Sequence, residues 1–99
     1  MKTSLVSNVR EELEILKRHL TILKLVAEKE PIGIIKLSEL SEYPKHKVRY
    51  SLRVLENLDL IRPSSTGAIT TKDLKIFFEE IKKEIEKIEK DIVEIKNLL

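Results

Sequence analysis

Residues 44–61 read PKHKVRYSLRVLENLDLI. Val48, Leu52 and Leu55 recur at i, i+4 and i+7, with Leu58 one turn on, so they form one apolar stripe on a helix that runs into a strand. At about 100° per residue, His46, Arg49, Tyr50, Arg53 and Asn57 fall on the opposite side of the wheel. That side carries positive charge, one aromatic and two hydrogen-bonding groups, and no acid; Glu56 and Asp59 come only near the helix end. A helix about residues 44–58, with one side locked in a core and Arg, Tyr, His and Asn offered outward, has the makings of a DNA recognition helix. An ordinary surface helix with a solvated basic face has the same pattern, so the flanking sequence must discriminate.

Immediately upstream, residues 34–42 read as a short helix with Ile34, Leu37 and Leu40 inward, after a turn at Pro31, Ile32 and Gly33. Tyr43 and Pro44 break it, and Pro44 suits the first turn of the next helix. Two short helices joined by a tight turn, the second basic on its outer face, make a helix-turn-helix. Downstream, Leu60, Ile61, Arg62 and Ala68, Ile69, Thr70 are short strand candidates. Pro63, Ser64, Ser65, Thr66 and Gly67 separate them, a turn by composition. A hairpin directly after such a helix is the wing of a winged helix, and Pro63 suits an edge or a strand end. Arg62 is its only charge. Ser64, Ser65, Thr66 and the Gly67 amide can bond phosphate oxygens without charge, or the hairpin can simply seal the core.

The flanks are long helices. Asn8 with Glu11 is a capping-box-like pair, and the helix it starts runs to about Glu30, where Pro31 stops it. Val6, Val9, Leu13, Leu16, Leu20, Leu23 and Ala27 follow a 3, 4 spacing, a heptad seam. A second strip, Ile15, Ile22, Leu25 and Val26, lies mainly in the later half. Residues 19–30 are therefore expected in a core, with residues 5–18 extending from it. At the other end, Thr70 or Thr71 is the expected cap of a last helix with Asp73 in its first turn. Leu74, Phe78, Ile81, Ile85, Ile88, Ile92, Ile95 and Leu99 hold a heptad spacing without a miss. A helix of about 28 residues spans roughly 40 Å, more than a small core can cover, so most of the seam needs another partner: residues 5–18 of the same chain, and the same helices of a second. Phe77 and Leu98 widen the stripe and favour a bundle. In a parallel pair Glu84 would face Glu89 unfavourably, and Asp91 would face Lys96 favourably. An antiparallel or four-helix arrangement of two chains is preferred. The expected division is residues 1–18 and 72–99 for dimerisation and 19–71 for a winged-helix domain.

Bulk composition bounds the function. Ninety-nine residues suit one domain with an extension. The chain has no Cys, which excludes disulfides and thiolate metal sites. Its start turns charged too soon for a signal peptide, and no apolar run approaches a membrane span, so a soluble, cytoplasmic protein is expected. The net charge is only +2, but it is uneven. Residues 44–62 hold five basic side chains (Lys45, Lys47, Arg49, Arg53, Arg62) against two acidic ones, whereas residues 72–99 hold seven against eight. The positive excess coincides with the candidate recognition helix, as a nucleic-acid footprint requires. Abundant Lys, Glu and Ile, with no Cys, Trp or Gln, leans toward a thermophilic source.

The run PIGIIKLSELSEYPKHKVRYSLRVLENLDLI, residues 31–61, followed by GAITT at 67–71, resembles small archaeal winged-helix proteins regarded as transcriptional regulators. The resemblance covers somewhat under half the chain, and KVRYSLRVLE is its most distinctive part. It implies a winged-helix fold, flanking helices that mediate dimers, and DNA binding through Lys45, His46, Lys47, Arg49, Tyr50 and Arg53.

An enzyme is not expected. His19 and His46 are isolated from each other, Gly33 and Gly67 are the only glycines, and no metal or acid–base spacing is present. No cofactor and no small-molecule substrate are implied. The expectation is a mainly α winged helix-turn-helix with a two-stranded wing, flanked by coiled-coil helices. It would act as a homodimeric, sequence-specific regulator of double-stranded DNA. Its DNA contacts would be Lys45, His46, Lys47, Arg49, Tyr50, Arg53, Asn57, Arg62, Ser65 and Thr66. Its dimer contacts would be Val6, Val9, Leu13, Leu16, Leu74, Phe78, Ile81, Ile85, Ile88, Ile92, Ile95 and Leu99. The alternative is a winged-helix protein-interaction module in a transcription or nucleic-acid-processing complex, which the low net charge and neutral wing favour, as does Val54 beside the basic face. RNA binding has less support, because one aromatic is no stacking platform.

Overall fold

The computed structural model describes residues 4–71 and 74–99. Its elements are helices α1 (Ser4–Lys29), α2 (Ile34–Ser41) and α3 (Lys45–Asn57), strands β1 (Ile61–Ser64) and β2 (Gly67–Thr70), and helix α4 (Lys75–Asn97). The chain is mainly helical with one two-stranded antiparallel sheet, an order compatible with a winged helix.

The core forms where α1, α2 and α3 meet the base of the hairpin. It contains Ile22, Leu23 and Val26 of α1, Leu37 of α2 and Val48 and Leu55 of α3. Ile32, Leu60, Ile61 and Leu74 close it from the connections and from β1. Only the later half of α1 enters, as its doubled apolar strip requires; Val6, Val9 and Leu13 are exposed.

Two expected inward residues lie outside this core. Leu58 is 61% exposed, because α3 ends at Asn57 and the chain turns back there. Asp59 takes a left-handed conformation (φ 60°), its amide donates to the Glu56 carbonyl, and the Leu60 amide donates to that of Leu55. This is a Schellman closure, which folds Leu60 over Leu55 and leaves Leu58 on the corner. Leu40 is 43% exposed. Helix α2 spans only eight residues, and Leu37 supplies its buried contact.

Other boundaries move as well. Helix α1 begins at Ser4, so Asn8 lies inside it and is not a cap. Pro44 is the N-cap of α3, and its carbonyl accepts from the Lys47 and Val48 amides. Neither Thr70 nor Thr71 caps α4, whose N-cap is Leu74. The Thr71 hydroxyl donates to the Asp59 carbonyl (2.6 Å) instead. The Thr70 amide and hydroxyl both donate to the Glu30 carboxylate (2.9–3.1 Å) and tie the hairpin to the end of α1. The expected role of Asp73 lies outside the described residues.

The hairpin reaches further toward its tip than expected: β1 starts one residue later and ends two later, and β2 starts one earlier, with register Ile61↔Thr70, Arg62↔Ile69, Pro63↔Ala68 and Ser64↔Gly67. Pro63 therefore lies within β1. Ala68 turns both its backbone groups away from Pro63 and exchanges two hydrogen bonds with Ile32 (2.8 and 3.2 Å). Pro63 thus stands where the ladder needs no N–H. The Ile32 bridge also explains Gly67, which has φ 137° and would place a Cβ 2.6 Å from the Ile32 carbonyl carbon. Gly67→Ala should lower unfolding stability in urea by about 2 kcal/mol or more. Gly33→Ala meets open space and should cost about 1 kcal/mol or less.

Candidate nucleic-acid interface

Helix α3 is held from two sides. Val48 and Leu55 are buried against α1 and α2, with Leu52 packed beside them. The third buried residue of its inner surface is polar: Ser51 is fully buried and faces α1. Its hydroxyl lies 2.9 Å from Arg18 Nε and 2.8 Å from His19 Nδ1. Arg18 Nε–H donates to it, and the His19 ring shares a second hydrogen bond with it, so the buried hydroxyl is satisfied. His19 is held below the ordinary histidine value, chiefly by burial and secondarily by the adjacent Arg18 charge. That direction agrees with Nδ1 acting as acceptor. The Tyr50 ring completes the group, 5.9 Å from the His19 ring and 5.7 Å from the Arg18 guanidinium carbon.

The fixed inner surface determines what faces outward. Lys45, His46, Lys47, Arg49, Arg53 and Asn57 are all exposed, as expected, and Tyr50 is half exposed. None of the basic residues makes an ion pair among the described residues, where the pairs are Lys36–Glu39 and Glu84–Lys87. Tyr50 does not project freely. It borders the basic face on the side where α1 approaches, and its ring is committed to Arg18 and His19.

The hairpin contributes less. Arg62 is exposed on β1. At the tip, the Ser64 hydroxyl donates to the Gly67 carbonyl and accepts from the Thr66 amide, so Ser64 builds the turn. Ser65 and the Thr66 side chain remain exposed.

Expected dimer residues divide into two groups. Leu74 is buried in the chain's own core, and Phe78 packs against it. Leu16, Ile81 and Ile85 are half-buried within the chain. Exposure then climbs along α4 to 55% at Ile95, and Ile88, Ile92 and Leu99 lie exposed beside it. Val6, Val9 and Leu13 are the exposed counterpart on α1. Leu13, Leu16 and Leu20 of α1, with Ile85 and Ile88 of α4, line an apolar groove of about 420 Å³.

Sequence reasoning missed Arg18 and Ser51. A lone serine on an apolar stripe was the available signal: Ser51 falls between Val48 and Leu55 and has to find a partner if buried. Among the described residues, no group of three or more His, Asp or Glu side chains is placed to hold a metal ion. No helix there is long and apolar enough to cross a membrane. Compared with known proteins, the chain matches no family model and no curated protein.

Ser51→Ala leaves Arg18 Nε and His19 Nδ1 without their partner and should cost about 1–3 kcal/mol in a denaturant titration. His19 also links stability to pH. It binds a proton more weakly in the folded chain than in the unfolded one, so unfolding takes up protons as pH falls. The His19 contribution is fully present above the ordinary value of 6.5. It should be lost as pH falls below that value and through the lower folded one. Unfolding curves between pH 8 and 5 should show this decline in the native chain and a smaller one in His19→Ala.

Proposed function

We propose that the chain is a homodimeric, sequence-specific regulator that binds double-stranded DNA as a winged helix, in keeping with its resemblance to small archaeal winged-helix regulators. One observation carries this reading. Helix α3 buries Val48, Ser51 and Leu55 while Lys45, His46, Lys47, Arg49 and Arg53 stand exposed on it without an ion-pair partner among the described residues. Among these, the unpaired cations Lys45, Lys47, Arg49 and Arg53 on a rigid helix keep their full charge for phosphate and base edges. Arg49 and Arg53 are suited to guanine O6 and N7, and Lys45 and Lys47 to the backbone. Arg62 and the exposed tip at Ser65 and Thr66 would touch the flanking strand.

The exposed halves of the α1 and α4 seams supply the dimer. Val6, Val9 and Leu13 on one helix and Ile88, Ile92 and Ile95 on the other are apolar side chains that water would otherwise cover. A second copy offering the same stripes completes a four-helix bundle, and would set the two α3 helices on half-sites about 34 Å apart or a multiple of it. A protein-interaction module is the second reading, favoured by the uncharged hairpin tip.

Fluorescence anisotropy against the upstream region of the chain's own gene and a scrambled duplex, at low and physiological salt, tests the regulator. A preference of about 10³ or more for the specific site is expected. Arg49→Ala/Arg53→Ala should abolish it, with unchanged helix content by circular dichroism. Binding to both duplexes that vanishes at physiological salt would sink the regulator and turn attention to a protein partner. Independently, sedimentation equilibrium should give twice the chain mass for the native protein. Ile92→Asp/Ile95→Asp should return it to one chain mass.

A further inference from the structure

The basic face of α3 does not end at α3. On the helical wheel, Arg49, Arg53, His46, Asn57 and Tyr50 follow one another in that order around the outer arc. Beside the Tyr50 ring stands a group of α1. It is the Arg18 guanidinium, 5.7 Å from the Tyr50 ring centre. Its Nε–H is anchored at 2.9 Å on the fully buried Ser51 hydroxyl. Two contacts thus hold the plane of this guanidinium in a set direction. Both Nη nitrogens are left without an acceptor among the described residues, and Glu14, one turn back on α1, makes no ion pair with it. Arg18 itself is partly exposed.

A surface arginine normally loses rotamer freedom when it grips an anion. Here that ordering already exists in the free chain, and the unoccupied pair of Nη nitrogens suits two phosphate oxygens. If Arg18 served only to satisfy Ser51, its charge would be superfluous, since the His19 ring already hydrogen-bonds the same hydroxyl.

We infer that Arg18 is a phosphate-binding residue of the nucleic-acid interface, clamping the DNA backbone beside the groove that α3 enters. This rests on the DNA-binding reading above. It adds a contact from the helix whose other half forms the dimer seam, so the spacing between chains and the grip on the backbone share one rigid element.

The test measures the salt dependence of anisotropy-detected binding for the native chain and for Arg18→Ala, Arg18→Lys and Arg10→Ala. Each neutralised phosphate adds about 0.9 to the slope of log affinity against log salt. Arg18→Ala should reduce that slope by about 1 and weaken specific and scrambled duplexes alike, by about tenfold at low salt. Arg18→Lys keeps the charge and should recover most of the slope, though not the full affinity. Arg10, exposed two turns back on α1, should leave the slope unchanged when replaced. A weaker Arg18→Ala with an unaltered slope would overturn the proposal and make Arg18 a positioning residue for Tyr50 and Ser51. Equal slope changes at Arg10 and Arg18 would overturn it in favour of diffuse charge. Should Arg18→Ala fail to fold by circular dichroism, Arg18→Lys decides: a near-native slope with weakened affinity for both duplexes supports the clamp, and native affinity overturns it. A native chain that binds neither duplex removes the DNA-binding reading and this residue's role with it.

Discussion

Helix α3 can present a rigid outer face only because its inner face is pinned to α1. The hydrophobic part of that contact, Val48 and Leu55 against Ile22, Leu23 and Val26, is non-directional and would tolerate some rotation of α3 about its own axis. Ser51 removes that freedom. A fully buried hydroxyl shared between Arg18 Nε and His19 Nδ1 at 2.8–2.9 Å has one good geometry, and rotation would leave the buried Ser51 hydroxyl without a partner. The direction in which Arg49 and Arg53 point thus follows from a hydrogen bond on the opposite side of the helix. The contact is also linked to protons, because burial holds His19 below the ordinary histidine value.

The rest of the small domain follows from closing the chain around this pair. The Schellman closure at Asp59 turns the backbone so that Leu60 and Ile61 re-enter the core and β1 begins at once. Strand β2 is then secured twice to the segment that follows α1. Ala68 exchanges backbone hydrogen bonds with Ile32, and Thr70 donates to the Glu30 carboxylate. Gly67 is required where the hairpin passes the Ile32 backbone. Helix α1 therefore packs on α2, α3 and β2, and its free half carries an exposed apolar stripe.

Much of this was legible in the sequence. The order of helices and strands, the entry of only the later half of α1 into the core, and the outward set on α3 all follow from spacing. Spacing at 3.6 or 2 residues reports which side chains share a face. Heptad spacing marked the seam on α4 equally well, yet could not say where along it the chain's own core ends. The structure places that change beyond Ile85, because Leu74 and Phe78 are already occupied within the chain. Helix ends were the weakest part: Asn8, Thr70 and Thr71 have good capping chemistry but are used otherwise. A cap is chosen by where the backbone turns, which neighbouring elements decide.

The sequence by itself determined the two-faced character of α3 and of both flanking helices, since periodic burial is a property of local spacing and hydrophobicity. Only the tertiary structure decided that Ser51, Arg18, His19 and Tyr50 form one group. They lie more than thirty positions apart along the chain, between α1 and α3. Their meeting depends on how the two helices are rotated and shifted against one another, and a periodicity within either helix carries no information about that. For the same reason, Tyr50 reads as a free aromatic in the sequence and is found stacked beside a cation in the fold.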